Sequence, residues 1–196
     1  MNRPELHLAS SSPRRREILS ALGVSFTCAG ADIDESRAPG EAVADMVLRL
    51  ATEKAQAADA GDLPVLGADT IVTLDGRIFG KPESEVDALA MLQALSGRTH
   101  QVLTGVALLC SGALTTAISS TDVRFRDIDP DEALAYWQSG EPDGKAGSYA
   151  IQGVGGVFVE AIEGSYSGVV GLPVYETAKL LGAVGIAVME LQMRND

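Results

Sequence analysis

Leu6-His7-Leu8-Ala9-Ser10-Ser11-Ser12-Pro13-Arg14-Arg15-Arg16 decides how the chain begins to fold. Leu6 to Ala9 predicts a short buried strand, and the serines turn directly into a helix. Ser12 suits a helix N-cap, and Pro13 suits the first helical position, where no backbone N–H is needed. Glu17, Ile18, Leu19, Leu22 and then Gly23 complete a short helix with a stop signal. The product is a strand, a hydroxyl-rich turn and a helix N-terminus crowded by three arginines. Free backbone N–H groups, hydroxyls and guanidinium groups together make an anion site, most naturally for phosphate. The competing reading is a capped surface helix with solvated arginines.

Outward from this unit the pattern alternates between strand and helix periods. Ser25 to Ala29 predicts a second short strand, followed by the acidic loop Asp32-Ile33-Asp34-Glu35. Between Glu41 and Ala60, the residues Val43, Met46, Val47, Leu50, Ala51 and Ala55 form one helical stripe. Leu63 to Ala68 predicts a strand running into Asp69-Thr70, and Ile71–Leu74 and Arg77–Phe79 flank a hairpin turn at Asp75-Gly76. Ser84 to Leu95 is a capped amphipathic helix, and Val102–Cys110 and Ala117–Phe125 are long strands joined across Ser111-Gly112. Asp129-Pro130 opens a helix to about Ser139, a Gly-rich segment runs from Gly140 to Gly156, and a strand follows at Val157–Ile162. Pro173 starts the last clear helix, through Leu181. Hairpins among helices predict an α/β fold with a mixed sheet and helices around it. No linker or repeat marks a domain boundary, so the chain reads as a single domain over 1–196.

Composition narrows the setting. The 196 residues are 46% apolar and 21% charged, an ordinary globular balance with enough chain for a real core. No apolar run approaches a membrane-spanning length, and Met1 to Glu5 lacks the layout of a signal peptide, so neither membrane nor export is expected. Cys28 and Cys110 match no metal or redox spacing, which makes a reduced cytoplasmic setting the default. A net charge of −12 argues against stable nucleic-acid binding but not against a small nucleotide, which needs only a local cationic pocket.

Several side chains carry chemistry. Asp69 follows an apolar run where a strand would reach its C-terminal end, the edge at which α/β sheets bind ligands. A carboxylate there can hold a divalent cation or take a proton from water; the alternative is a loop aspartate capping a turn. Glu35 is a candidate second metal ligand, against the simpler reading of a solvated acidic loop. Lys54, after a long helical stripe, reads as a surface lysine, whereas Lys81 sits between Gly80 and Pro82, where backbone approaches a ligand closely. Gln152 offers a donor and an acceptor, and a uracil or thymine ring has a matching donor between two acceptors; the alternative is a glutamine satisfying its own backbone. Gly76 to Lys81 imitates the phosphate loop of ATPases but has three residues between its glycines and Pro82 in place of the hydroxyl. His7 and His100 belong to no zinc or nucleophile motif and read as structural. Carboxylates, lysines, arginines and hydroxyls remain, the kit of metal-assisted phosphoryl chemistry.

Taken in order, Ser10-Ser11-Ser12-Pro13-Arg14-Arg15, Asp34-Glu35, Glu53-Lys54-Ala55, Gly67-Ala68-Asp69-Thr70, Gly80-Lys81-Pro82, Ser96-Gly97-Arg98-Thr99-His100, Ile151-Gln152-Gly153 and Val170-Gly171-Leu172-Pro173 resemble the Maf family from about residue 6 to residue 182. The resemblance implies an inosine-triphosphatase-like α/β fold, a mixed twisted sheet with a cleft between two lobes, often as a homodimer. It implies hydrolysis of a nucleoside triphosphate to the monophosphate and pyrophosphate with Mg²⁺ or Mn²⁺. Asp69 matches the family's catalytic aspartate, the proton acceptor, and with Glu35 would hold the metal. Ser10, Arg14, Arg15, Lys54 and Lys81 match its other polar site positions. Arg14, Thr70 and Gln152 look like the branch that takes dTTP and UTP, with modified pyrimidine nucleotides as further substrates in a house-cleaning role. A different class uses the same pocket: a nucleotide-binding regulatory module acting on a cell-division partner, which needs neither a base nor a metal.

Overall fold

Leu6–Ala9 forms β1, its four residues buried as the apolar run predicts. Pro13–Ala21 forms α1, where the Ser12 side chain accepts from the backbone N–H of Arg15 and Pro13 opens the first turn. In this computed structural model, which describes residues 4–195, Phe26–Ala29 is β2 and Val43–Ala57 is α2. Val65–Leu74 is β3 and Arg77–Phe79 is β4, joined at Asp75 (φ 52°) and Gly76 (φ 79°), the left-handed pair that a tight two-residue hairpin requires. Glu85–Leu95 is α3, capped by Ser84; Thr99–Cys110 is β5 and Ala113–Phe125 is β6. Pro130–Gln138 is α4, capped by Asp129. Val159–Glu163 is β7, Tyr166–Val170 is α5, Val174–Ala183 is α6 and Val188–Asn195 is α7.

Hydrogen bonding orders the strands β2-β1-β3-β5-β6-β7, with β4 on β3. The β1–β2 and β1–β3 pairs are parallel, and the β3–β4 and β6–β7 pairs antiparallel. The fold is therefore α/β with a mixed sheet, as the interleaved hairpins and helices predict. Several details differ, among them the starts of β5 at Thr99 and of β6 at Ala113, which precede the expected Val102 and Ala117. β3 runs unbroken through Asp69 and Thr70, so Asp69 lies in the middle of a strand and not at its C-terminal end. β7 begins at Val159 because Val154–Phe158 coil into a 3₁₀ turn. Tyr166–Val170 and Val188–Asn195 are helices that no sequence signal announces. No helix among the described residues is long and apolar enough to cross a membrane.

The chain divides into two compact units, Met1–Asp69 with Thr104–Ser119 and Gly171–Asp196, and Thr70–Leu103 with Ser120–Val170. The chain passes from one to the other inside β3, β5 and β6 and between Val170 and Gly171, which is why no linker marks a boundary. Each unit has its own core. In the first, Leu6, Leu8, Leu19, Leu66, Leu172 and Leu181 pack together, and a second cluster consists of Ala9, Ala51, Ala55, Val65 and Ala107. That small-residue cluster exists because α2 lies directly on the sheet. A Cβ on Gly67 of β3 would overlap the Ala51 carbonyl and come within 2.8 Å of the Ala55 nitrogen; one on Gly105 of β5 would meet the Val47 carbonyl at 2.6 Å.

The second unit's core centres on Phe125, Phe158, Leu92, Leu95 and Tyr149. His100 is buried there, edge-on to Phe125 (4.8 Å) and Tyr149 (5.5 Å), with Nε2 2.9 Å from the Tyr149 hydroxyl. His7 is likewise structural, its Nδ1 2.8 Å from Thr27 Oγ1 in the first unit.

Two outcomes follow from this packing. Gly67→Ala should drive α2 off β3 at a cost of about 1–3 kcal/mol, read as a lowered Tm. Burial, opposed by Asp122, depresses the His100 pKa from 6.5 to about 4. Between those values the unfolded chain binds the extra proton, so stability is lost as the pH drops through that window, by at most about 3 kcal/mol. Urea midpoints from pH 7 to pH 4 should fall more steeply for the wild type than for His100→Phe.

Candidate active site

Side chains from three elements of the first unit meet at one ammonium. Lys54 Nζ on α2 donates to Asp69 Oδ1 on β3 at 2.6 Å, and lies 2.6 Å from Glu35 Oε1 in the loop between β2 and α2. Lys54 and Asp69 are buried, whereas the Glu35 side chain is half exposed. The helix-on-strand packing produces the pair. Gly67 and Asp69 lie two residues apart, on one face of β3, and Lys54 stands three residues beyond Ala51 on the face of α2 that meets it. Lys54 thus continues the buried stripe instead of facing solvent as an ordinary surface lysine.

The acidic loop is clamped, not merely solvated. Arg49 donates to Glu41 Oε1 at 2.7 Å and Oε2 at 2.9 Å, to Glu53 Oε2 at 3.2 Å and to the Ser36 carbonyl at 3.0 Å. Arg49 thereby ties α2 to the residue after Glu35. Its hydrogen bonds, foremost among several causes, hold the Glu41 carboxyl at about 2. Asp34 Oδ1 accepts the Ser36 N–H at 2.9 Å, and that bond lowers the Asp34 carboxyl.

Arg15 is fixed beside this cluster. Its Nη1 donates to Ser10 Oγ at 3.2 Å and its Nε to the Gly171 carbonyl at 2.8 Å. Ser10 Oγ, itself buried, also accepts the Ser12 N–H at 3.2 Å. Burial draws the Arg15 guanidinium down, and the negative charge of Asp69 opposes it. Arg14 is half-buried and is lowered by burial against the pull of Glu17. The Arg15 guanidinium therefore stands in electrostatic reach of the Asp69 carboxylate, with a serine hydroxyl and the first turn of α1 beside it, a set of groups able to hold phosphate.

Thr70, Lys81 and Gln152 belong to the second unit. Thr70 is half-buried on β3, one residue beyond Asp69. Lys81 is exposed, and the carbonyl of its neighbour Gly80 accepts the Gly147 N–H at 3.0 Å, tying its loop to the Gly-rich segment. Gln152 is exposed in the turn that the Gly153 N–H closes on the Ala150 carbonyl at 3.1 Å.

Among the described residues, no three Asp, Glu, His or Cys side chains gather into a metal site of their own. Glu35 and Asp69 do converge on a single cation, the Lys54 ammonium, so two carboxylate oxygens face one cationic position. That donor set fits a hard divalent ion which takes its remaining ligands from phosphate and water. Two supports of the site were not legible in the sequence. The Gly171 carbonyl that anchors Arg15 lies 156 residues away from it in the chain. Arg49 announces only its helical pair with Glu53, four residues on, and not its reach to Ser36 and Glu41.

A family model described as "Maf-like protein" matches residues 5–184. A protein of Methylobacillus flagellatus named dTTP/UTP pyrophosphatase is 50% identical over 96% of each chain. Proteins of the same name from Hahella chejuensis (52%, over 95% of each chain) and Saccharophagus degradans (48%, over 96% of this chain and 93% of that one) are similarly close. Among solved structures, the Staphylococcus aureus Ham1 protein aligns with a TM-score of 0.45 at 14% identity, covering 61% of this chain and 71% of that one.

Lys54→Met should leave the Asp69 carboxylate buried beside no cation from α2, at a cost of about 2–4 kcal/mol. Adding Asp69→Asn, which removes the charge, should recover part of that loss. Urea unfolding of the single and double variants measures the coupling.

Proposed function

This chain belongs to the Maf family, and from that premise we propose that it is a nucleoside triphosphate pyrophosphatase that hydrolyses dTTP and UTP to the monophosphate and pyrophosphate. The observation that carries the chemistry is the convergence of Asp69 and Glu35 on Lys54 beside the Ser10–Arg15 pair. Carboxylates for a base and a metal, and cations for a polyphosphate, stand together in one packed group.

Arg14, Arg15, Lys54 and Lys81, with the N-terminus of α1, bind the triphosphate and offset its charge. Glu35 and Asp69 would hold a Mg²⁺ or Mn²⁺ ion, which would neutralise phosphate charge and supply Lewis-acid assistance. Asp69 takes a proton from water as the water oxygen forms its bond to the α-phosphorus. The bond from that phosphorus to the bridging oxygen breaks, and pyrophosphate leaves. Arg14, Thr70 and Gln152 select the base, the Gln152 amide pairing with the donor and acceptors on a uracil or thymine edge. Modified pyrimidine triphosphates are further substrates, and the active assembly is a homodimer in the cytoplasm.

The test is to incubate the purified protein with Mg²⁺ and, separately, each common nucleoside triphosphate and 7-methyl-GTP, measuring pyrophosphate against orthophosphate. Pyrophosphate from dTTP and UTP, abolished by chelator, is expected. Preference for 7-methyl-GTP would overturn the assignment of the base-selecting residues, and binding without turnover would overturn the enzyme. Asp69→Asn should lower kcat by about 100-fold or more with little change in substrate affinity.

A further inference from the structure

Tyr136 and Glu141 make a polar network in the second unit, and the chemistry above uses neither. Tyr136 lies near the end of α4, buried, with its ring edge-on to Phe158 at 5.1 Å. Glu141 follows just past the helix, where Ser139 Oγ donates to the Tyr136 carbonyl at 2.6 Å and accepts the Glu141 N–H at 3.2 Å. The Tyr136 hydroxyl donates to Glu141 Oε1 at 2.7 Å and accepts the Ala150 N–H at 3.1 Å. Glu141 Oε1 also accepts the Gly155 N–H at 2.9 Å, and Oε2 accepts the Val154 N–H at 2.9 Å.

These bonds grip both sides of one turn. The Gly153 N–H closes on the Ala150 carbonyl, leaving Ile151 and Gln152 at the apex. The Tyr136 hydroxyl holds the turn at Ala150, and the Glu141 carboxylate holds the chain just beyond Gly153. A Cβ on Gly153 would overlap that carboxylate, and one on Gly155 would overlap the Tyr136 hydroxyl, so the backbone lies directly on the pair. Burial pushes the Glu141 carboxyl up, but the Gly155 and Val154 N–H groups and the Tyr136 hydroxyl together bring it below the usual range. The site is thus built for the ionised carboxylate, whose oxygens accept three hydrogen bonds. A glutamine amide presents a donor to at least one N–H and cannot reproduce the set.

Gln152 is exposed at this apex, and no described side chain holds its amide. The turn beneath it therefore fixes where the Gln152 side chain leaves the backbone, while the amide itself turns freely. We propose that Tyr136 and Glu141 are positioning residues for substrate selection: by clamping both sides of the Ala150–Gly153 turn, they fix the backbone that carries Gln152, so that its amide is presented within reach of the edge of a pyrimidine base. This rests on Gln152 as a base-selecting residue. A turn ordered before binding loses less backbone entropy when Gln152 meets the base, so the clamp acts on affinity and selectivity more than on the chemical step.

The experiment measures kcat and KM for UTP and ATP, and equilibrium binding of UMP and AMP, in the wild type, Glu141→Gln, Tyr136→Phe, Gln152→Ala and the Glu141→Gln/Gln152→Ala double variant. Glu141→Gln should lower the UTP-over-ATP ratio of kcat/KM by about 10-fold, chiefly through KM, since one hydrogen-bonded contact is misplaced. The UMP-over-AMP binding ratio should fall in parallel. Tyr136→Phe, which leaves both backbone bonds of the carboxylate, should act in the same direction more weakly and tests the clamp independently of Glu141→Gln. In the Gln152→Ala background Glu141→Gln should change neither ratio by more than about 2-fold, because its effect passes through Gln152. Unchanged ratios in Glu141→Gln and Tyr136→Phe, or equal losses with and without Gln152, would overturn the proposal. Wild-type protein that prefers UMP but turns over no triphosphate would overturn the hydrolase, and the clamp would still be judged by the binding ratios. Wild-type protein without any base preference would overturn the clamp's role as well.

Discussion

The candidate site depends on how closely α2 approaches the sheet. Gly67 and Gly105 present no Cβ to α2, and Ala51 and Ala55 present only methyl groups, so the helix backbone lies directly on β3 and β5. At that separation a lysine three residues past Ala51 reaches a carboxylate two residues past Gly67. With larger side chains at these positions, the ammonium of Lys54 and the carboxylate of Asp69 would not stand at 2.6 Å. Close helix–strand packing is a matter of volume, and here it decides an electrostatic contact.

That contact is costly to keep. A buried ion pair gives up hydration that its mutual attraction does not fully return, and packed hydrophobic residues would serve stability as well or better. The chain nevertheless gathers Lys54, Asp69, Glu35, Arg15 and Ser10 into one group and holds the acidic loop with Arg49. With an overall charge of −12, a concentration of cations at this point is a local construction and not a reflection of composition. The polyanionic substrate proposed here is the partner for which such an arrangement is useful.

Much of the fold was legible because its signals are short-range. Ser12 and Pro13 start α1, Ser84 caps α3 and Asp129 caps α4, each through contacts within a few residues. Asp75-Gly76 makes its hairpin for the same reason. The helices Tyr166–Val170 and Val188–Asn195 were not legible: the first is a single turn containing Gly168, and the second follows Gly185 with no cap signal. Asp69 was read at a strand end because a charged residue after an apolar run looks like the start of a loop. The strand continues because Lys54 offsets the carboxylate from a distant helix.

The sequence by itself determined most of the helices and strands, their order along the chain, and the set of carboxylates, cations and hydroxyls available for phosphate chemistry, since caps, turns and periodicity act over a handful of residues. Tertiary structure alone decided that Lys54 is buried between two carboxylates, that Arg15 hangs from the Gly171 carbonyl, and that Tyr136 and Glu141 grip the turn carrying Gln152. Those contacts join residues that local spacing leaves unrelated, and they depend on how closely two backbones can approach before their side chains meet.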